Sequence, residues 1–123
     1  MTVLLEGRHP GEFLMSEASR QRSRDNITVA SGAGIIAPGT VLGRITASGK
    51  YVVSAIGAQD GSETAAAVAL YGCDATSADA HIAAITRDAE VNAQVLTYHS
   101  DRDQAADRVA AHRELAAVGI IVR

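Results

Sequence analysis

The residues that could carry chemistry in this chain stand at spacings that point away from it. Gly32-Ala33-Gly34-Ile35-Ile36-Ala37 spells G-x-G-x-x-A, which in a dinucleotide site opens a helix whose N-terminal amides hold a pyrophosphate. Pro38-Gly39 follows at once and would end such a helix within its first turns, so the run reads as a turn before a strand. His9, His81, His99 and His112 show neither zinc-ligand spacing nor an H-E-x-x-H pattern, and no cysteine pair accompanies them. Asp101, Asp103 and Asp107 gather where a helix is expected to begin, and the helix dipole alone accounts for carboxylates there. Cys73, the single cysteine, reads as a small buried hydrophobe in a chain that folds in a reducing compartment. With no G-x-S-x-G, P-loop or calcium-loop pattern, the sequence predicts no enzyme, no cofactor and no metal site.

Lys50 is the one lysine, and it follows the Ser48-Gly49 turn of an expected hairpin. That placement resembles carrier domains that modify a lysine at a hairpin tip, although Gly49 and Tyr51 are not the acidic or methionine flanks of those domains. A small β carrier or ligand-binding domain centred on Lys50 is therefore the alternative reading. Arg20, Arg22 and Arg24 alternate, so an extended chain would present all three guanidinium groups on one side. Phe13-Leu14-Met15 beside them form an apolar island suited to anchor a partner-bound segment.

The elements that must position these groups fit one small unit. A chain of 123 residues, 47% hydrophobic and 20% charged, has the composition of a folded domain. Only 3% of it is aromatic, so the core is built from Ala, Val, Ile and Leu, which bury little area each and favour self-association. A net charge of −3 argues against a nucleic-acid partner, and no apolar run reaches the ~18–20 residues of a membrane span.

Residues 6–26 read as a polar, irregular arm. Strands are expected at Ile27–Val29, Thr40–Thr46, Tyr51–Val53 and Thr64–Tyr71, the second and third forming a hairpin across Ser48-Gly49. Gly72–Asp79 reads as a polar connection. His81–Thr86 and Glu90–Tyr98 read as a second hairpin around Arg87-Asp88-Ala89. A helix is expected over Asp101–Val118, capped by Ser100, stopped by Gly119 and packing through Ala105, Val109, His112 and Ala116. Ile120–Val122 closes the chain as a strand. The fold class is thus mainly β with one C-terminal helix, a small α+β body preceded by an extended arm, divided as residues 1–29 and 30–123.

The order of several short segments is specific. Glu12-Phe13-Leu14-Met15-Ser16-Glu17-Ala18, Ser23-Arg24-Asp25-Asn26-Ile27-Thr28-Val29, Pro38-Gly39-Thr40-Val41-Leu42-Gly43 and Gly49-Lys50-Tyr51 occur in that sequence. Tyr71–Thr76, Arg87–Asn92 and Leu115–Arg123 follow them. Together they resemble the lambda-type head decoration proteins of tailed bacteriophages, over about Glu12 to Arg123. The resemblance implies a β-clip-like fold and a structural protein of the virion that binds the expanded capsid as homotrimers at three-fold positions. Its partner would be the major capsid protein, its place the outer capsid surface after synthesis in the host cytoplasm, with no nucleic acid or membrane bound directly. Carried over by position, the capsid contacts would be Phe13, Leu14, Met15 and Glu17, continued by Arg24, Ile27 and Val29, on an arm that orders upon docking. Met1–Gly11 have no counterpart in the resemblance.

Overall fold

Alternation along short strands decides this architecture, because the same strands must supply side chains to two cores. The computed structural model describes residues 6–19 and 22–123. Five strands, β2 (Arg24–Val29), β4 (Val41–Arg44), β5 (Tyr51–Val53), β6 (Ala65–Ala69) and β8 (Ala80–Ile85), close into a barrel in the order β2-β5-β4-β6-β8. All its pairings are antiparallel except the seam, where Val29 meets Tyr51 in parallel. A two-stranded ribbon, β3 (Gly34–Ile36) with β7 (Cys73–Ala75), adds Ile36 and Ala75 to the barrel's core. A separate three-stranded sheet orders β1 (Leu14–Glu17), β9 (Ala89–Val91) and β10 (Ile120–Val122), with β9 in the middle. Helix α1 (Ala105–Ala117) packs on β10 and β6. The chain is mainly β with a single C-terminal helix, as its composition and patterning predict.

A barrel of so few strands has a narrow interior, and small residues fill it. Ala67, Ala69, Ala75 and Ala84 are fully buried there with Ile27, Val29, Ile36, Leu42 and Ile82. The neighbouring positions Val41, Val68 and Ile85 point the other way, into a second core with Phe13, Leu70, Val91, Leu96, Ala111, Leu115 and Ile120. β6, most of β4 and the end of β8 are therefore buried on both faces, which explains their apolar runs. Close packing leaves Gly43 no room for a side chain. A Cβ on Gly43 would lie 1.9 Å from the Ser62 carbonyl oxygen, and the β4–β6 register shifts at this residue.

Arg102 ties the helix to the barrel. It is 2% exposed, yet every face of its guanidinium has a partner. Nε donates to the Ser54 carbonyl at 3.1 Å, Nη1 to the Asp107 carbonyl at 3.0 Å, and Nη2 to the Glu63 carbonyl at 2.8 Å and to Ser54 Oγ at 3.1 Å. The Glu114 carboxylate lies 3.5 Å away and balances the charge. Such satisfaction is what allows a cation to be buried.

Several expectations are corrected. β8 and β9 do not form a hairpin: β8 closes the barrel on β2 and β6, whereas β9 pairs with β1 and β10. Asp88, at φ 51, turns the chain between the two sheets. β9 also ends early, because the Asn92 side chain accepts from the Gln94 amide and starts a 3-10 turn over Ala93–Val95. The helix begins at Ala105 and not Asp101, with Gln104 as its N-cap in place of Ser100. Arg102 must reach the loop at residues 54–63, and Asp101 receives the Gly57 amide at 3.2 Å, so both are held outside the helix. Its packing stripe is Ala111 and Leu115; Ala105, Val109 and Ala116 are exposed and His112 is half-buried. Gly72–Asp79, read as a connection, contains β7. Gly119 does stop the helix, at φ 88.

Two substitutions test this packing. Gly43→Ala forces the β4–β6 junction apart and should destabilise the chain by roughly 1–3 kcal/mol or more in urea unfolding. Arg102→Met leaves buried carbonyls and Glu114 unpartnered and should cost about 3–5 kcal/mol in the same assay.

Candidate functional site

The segment singled out by sequence lies against the body, and its residues divide between inward and outward positions. Phe13 is fully buried in the second core, its ring 3.5 Å from where a Cβ on Gly39 would sit. Leu14 is half-buried against the same core and pairs with Val91. Ile27 and Val29 belong to the barrel interior on β2, which pairs with β8 along its whole length. Residues 24–29 of the expected arm form barrel strand β2, which ends at Val29. Arg20 lies outside the described residues.

Met15 is the large apolar side chain of β1 that faces out, at 55% exposure. Ser16 beside it is exposed, as are Glu6 to Pro10. β1 has β9 as its only strand neighbour among the described residues, and its register slips between Leu14 and Ser16. Among the described residues its other edge carries no strand, a geometry open to strand addition.

Glu17 and Arg24 are brought together at the far end of β1. The Glu17 carboxylate accepts Arg24 Nε at 3.0 Å, Arg24 Nη2 at 2.5 Å and the buried Ser23 hydroxyl at 2.5 Å. Arg24 holds the Glu17 carboxyl below its usual range, and Glu17 in turn raises the guanidinium. The turn between β8 and β9 clasps the same region. Arg87 donates to the Arg22 carbonyl at 2.8 Å and pairs with Asp25, which also accepts the Thr86 hydroxyl at 2.9 Å. Arg87 and Thr86 keep the Asp25 carboxyl low. Two backbone bonds, Ala18 N–H to the Asp88 carbonyl and Thr86 N–H to the Ser23 carbonyl, both 2.9 Å, complete the clasp. Sequence reasoning missed this partner because Arg87 and Asp25 are 62 residues apart.

The other chemistry-bearing groups are spent on structure. Lys50 follows the turn before β5 and pairs with Asp79 at 2.7 Å, which pulls the Asp79 carboxyl below its usual range. Gly34 opens strand β3, so G-x-G-x-x-A does not start a helix. The histidines are dispersed. His9 lies 3.3 Å from Glu6, His81 Nδ1 3.1 Å from Thr28 Oγ1, and His99 3.1 Å from Asp101. Among the described residues no group of three or more His, Cys, Asp or Glu side chains could hold a metal ion. Burial raises the Cys73 thiol pKa, away from the thiolate a nucleophile needs.

A cleft of about 580 Å³ lies between residues 93–103 and α1. Tyr98 and His112 face each other there at 2.6 Å, and Arg108 stands 5.5 Å over the Tyr98 ring. Burial lowers the His112 pKa and raises that of Tyr98, so both favour their neutral forms. The pair fastens the loop to the helix.

A comparison with curated proteins gives no match. The sequence model of one family, described as bacteriophage lambda head decoration protein D, matches residues 3–120. That span includes the barrel, the three-stranded sheet up to the start of β10, and the whole helix. The order of short segments seen in the sequence, a small β body and an N-terminal strand with an open edge belong together on this account: the chain is a member of the bacteriophage lambda head decoration protein D family.

Proposed function

We propose that this chain is a cement protein, attaching as homotrimers at three-fold positions on the outer surface of the expanded phage head with the major capsid protein as partner. The observation that carries the reading is the family match over residues 3–120. A ligand that binds the expanded shell in preference to disrupted forms stabilises it by mass action, repeated over many sites. The role is structural and uses no cofactor. Arg22, Arg24, Lys50, Arg87, Arg102 and Arg123 all lie within salt-bridge distance of carboxylates, which leaves little basic field for direct contact with nucleic acid.

Self-association draws support from the helix. α1 buries only Ala111 and Leu115 of its side chains, while Val109 and Val118 remain 44% and 39% exposed. Capsid attachment is assigned to the N-terminal 29 residues, with different duties along it. Met15 is the apolar contact, flanked by Leu14, Glu17 and Arg24, and Phe13, Ile27 and Val29 hold the strands that present them. The lone Cys73 suits synthesis in a host cytoplasm.

Purified protein mixed with undecorated expanded heads should co-sediment with them, and its absence from the pellet overturns the reading. Met15→Asp should weaken attachment about tenfold, since burying a half-exposed methionine is worth on the order of 1 kcal/mol and a carboxylate there adds a desolvation cost. Its melting temperature should match that of the unaltered chain, because the side chain already faces solvent.

A further inference from the structure

We propose that the cleft between residues 93–103 and α1 is an oxyanion site, in which Arg108 receives a carboxylate or phosphate group. The site is independent of capsid attachment, since no residue lining the cleft belongs to residues 1–29. The guanidinium of Arg108 is set before any ligand arrives. Its Nε donates to the Arg102 carbonyl at 3.1 Å, and its central carbon stands 5.5 Å over the Tyr98 ring. Tyr98 is fixed in turn by His112, whose Nε2 lies 2.6 Å from the phenol oxygen. An arginine held on two supports loses less side-chain freedom when it binds, and its planar fork matches the paired oxygens of a carboxylate or phosphate.

Both Nη nitrogens of Arg108 remain available. Among the described residues neither has a hydrogen-bond acceptor and no carboxylate lies within salt-bridge distance, whereas Arg22, Arg24, Arg87, Arg102 and Arg123 all have one. Positive potential reaches the Tyr98 hydroxyl: burial raises its pKa, and Arg108 and Arg102 both oppose that rise. Asp103, the one carboxylate of the lining, makes no salt bridge with either guanidinium, and Glu114, which balances Arg102, lies outside the lining. His99 at the rim is engaged by Asp101 at 3.1 Å. An oxyanion on the Nη pair therefore occupies the side of the cleft formed by Tyr98 and His112, where the field of two guanidinium groups overlaps.

Titration of the purified chain with inorganic phosphate at constant ionic strength and near-neutral pH, followed by the ring resonances of His112 and Tyr98, tests the assignment without phage heads. The shifts should saturate, and Arg108→Gln should weaken binding at least tenfold. Arg108→Lys keeps the charge and loses the fork, so it should weaken binding at least threefold, and it carries the comparison if Arg108→Gln melts early. Arg113→Gln removes an exposed cation of the same helix that does not line the cleft, and should leave the phosphate curve unchanged. A parallel titration with acetate separates the sources: saturation by phosphate assigns the site to a phosphate-bearing ligand, and saturation by acetate alone assigns it to a carboxylate, each supporting an oxyanion site. Shifts that grow linearly with both anions, a loss in Arg113→Gln equal to that in Arg108→Gln, or an Arg108→Lys curve equal to that of the unaltered chain overturns it.

Discussion

One wall of strands serves two cores, and the rest of the structure depends on that sharing. β4, β6 and β8 send Leu42, Ala67 and Ala84 into the barrel and Val41, Val68 and Ile85 out of it toward Phe13, Leu115 and Ile120. Each strand in the wall therefore carries apolar residues on both faces along its buried part, and a slip of one residue would exchange the barrel set for the second-core set. Four alanines among the interior residues keep the barrel narrow, while Val41, Val68 and Ile85 join Phe13, Leu115 and Ile120 in the second core. A chain with so few aromatics gains two modest cores in this way where a single large one was beyond its composition.

The N-terminal segment is the lid of the second core. Phe13 contributes the one phenylalanine of the chain to it, and β1 covers β9, the strand that also receives β10. Arg102 also acts as a fastener, binding the loop at residues 54–63 to the start of the helix. Both fasteners join segments far apart in sequence. The body is thus closed by long-range polar and apolar clasps, while Met15 and, on α1, Val109 remain exposed.

Local signals in the sequence were sufficient where a turn or a β-branched run decided the outcome. The β4–β5 hairpin, β6, β8, β10 and the stop at Gly119 all stand where Pro38-Gly39, Ser48-Gly49 and the apolar runs place them. The fate of β9 was not legible, because alternation in Glu90–Tyr98 predicts a strand but not its partner, and Asp88 redirects the chain. The helix face was misread for a similar reason: Ala105, Val109 and Ala116 form as good an apolar stripe as Ala111 and Leu115, and only the position of β6 and β10 chooses between them. The polarity of residues 6–26 suggested an arm, yet Phe13 and Ser23 are buried there by partners supplied from residues 39–120. The assignment of the family followed from segment order, a property of the whole chain that no single motif carries.

Cryo-electron microscopy of expanded heads decorated with this chain should show threefold knobs on the outer surface, with the strand around Met15 against the shell and α1 turned away from the shell toward neighbouring copies. Knobs that meet the shell through α1 with the Met15 strand pointing into solvent, or heads that remain bare, would contradict it.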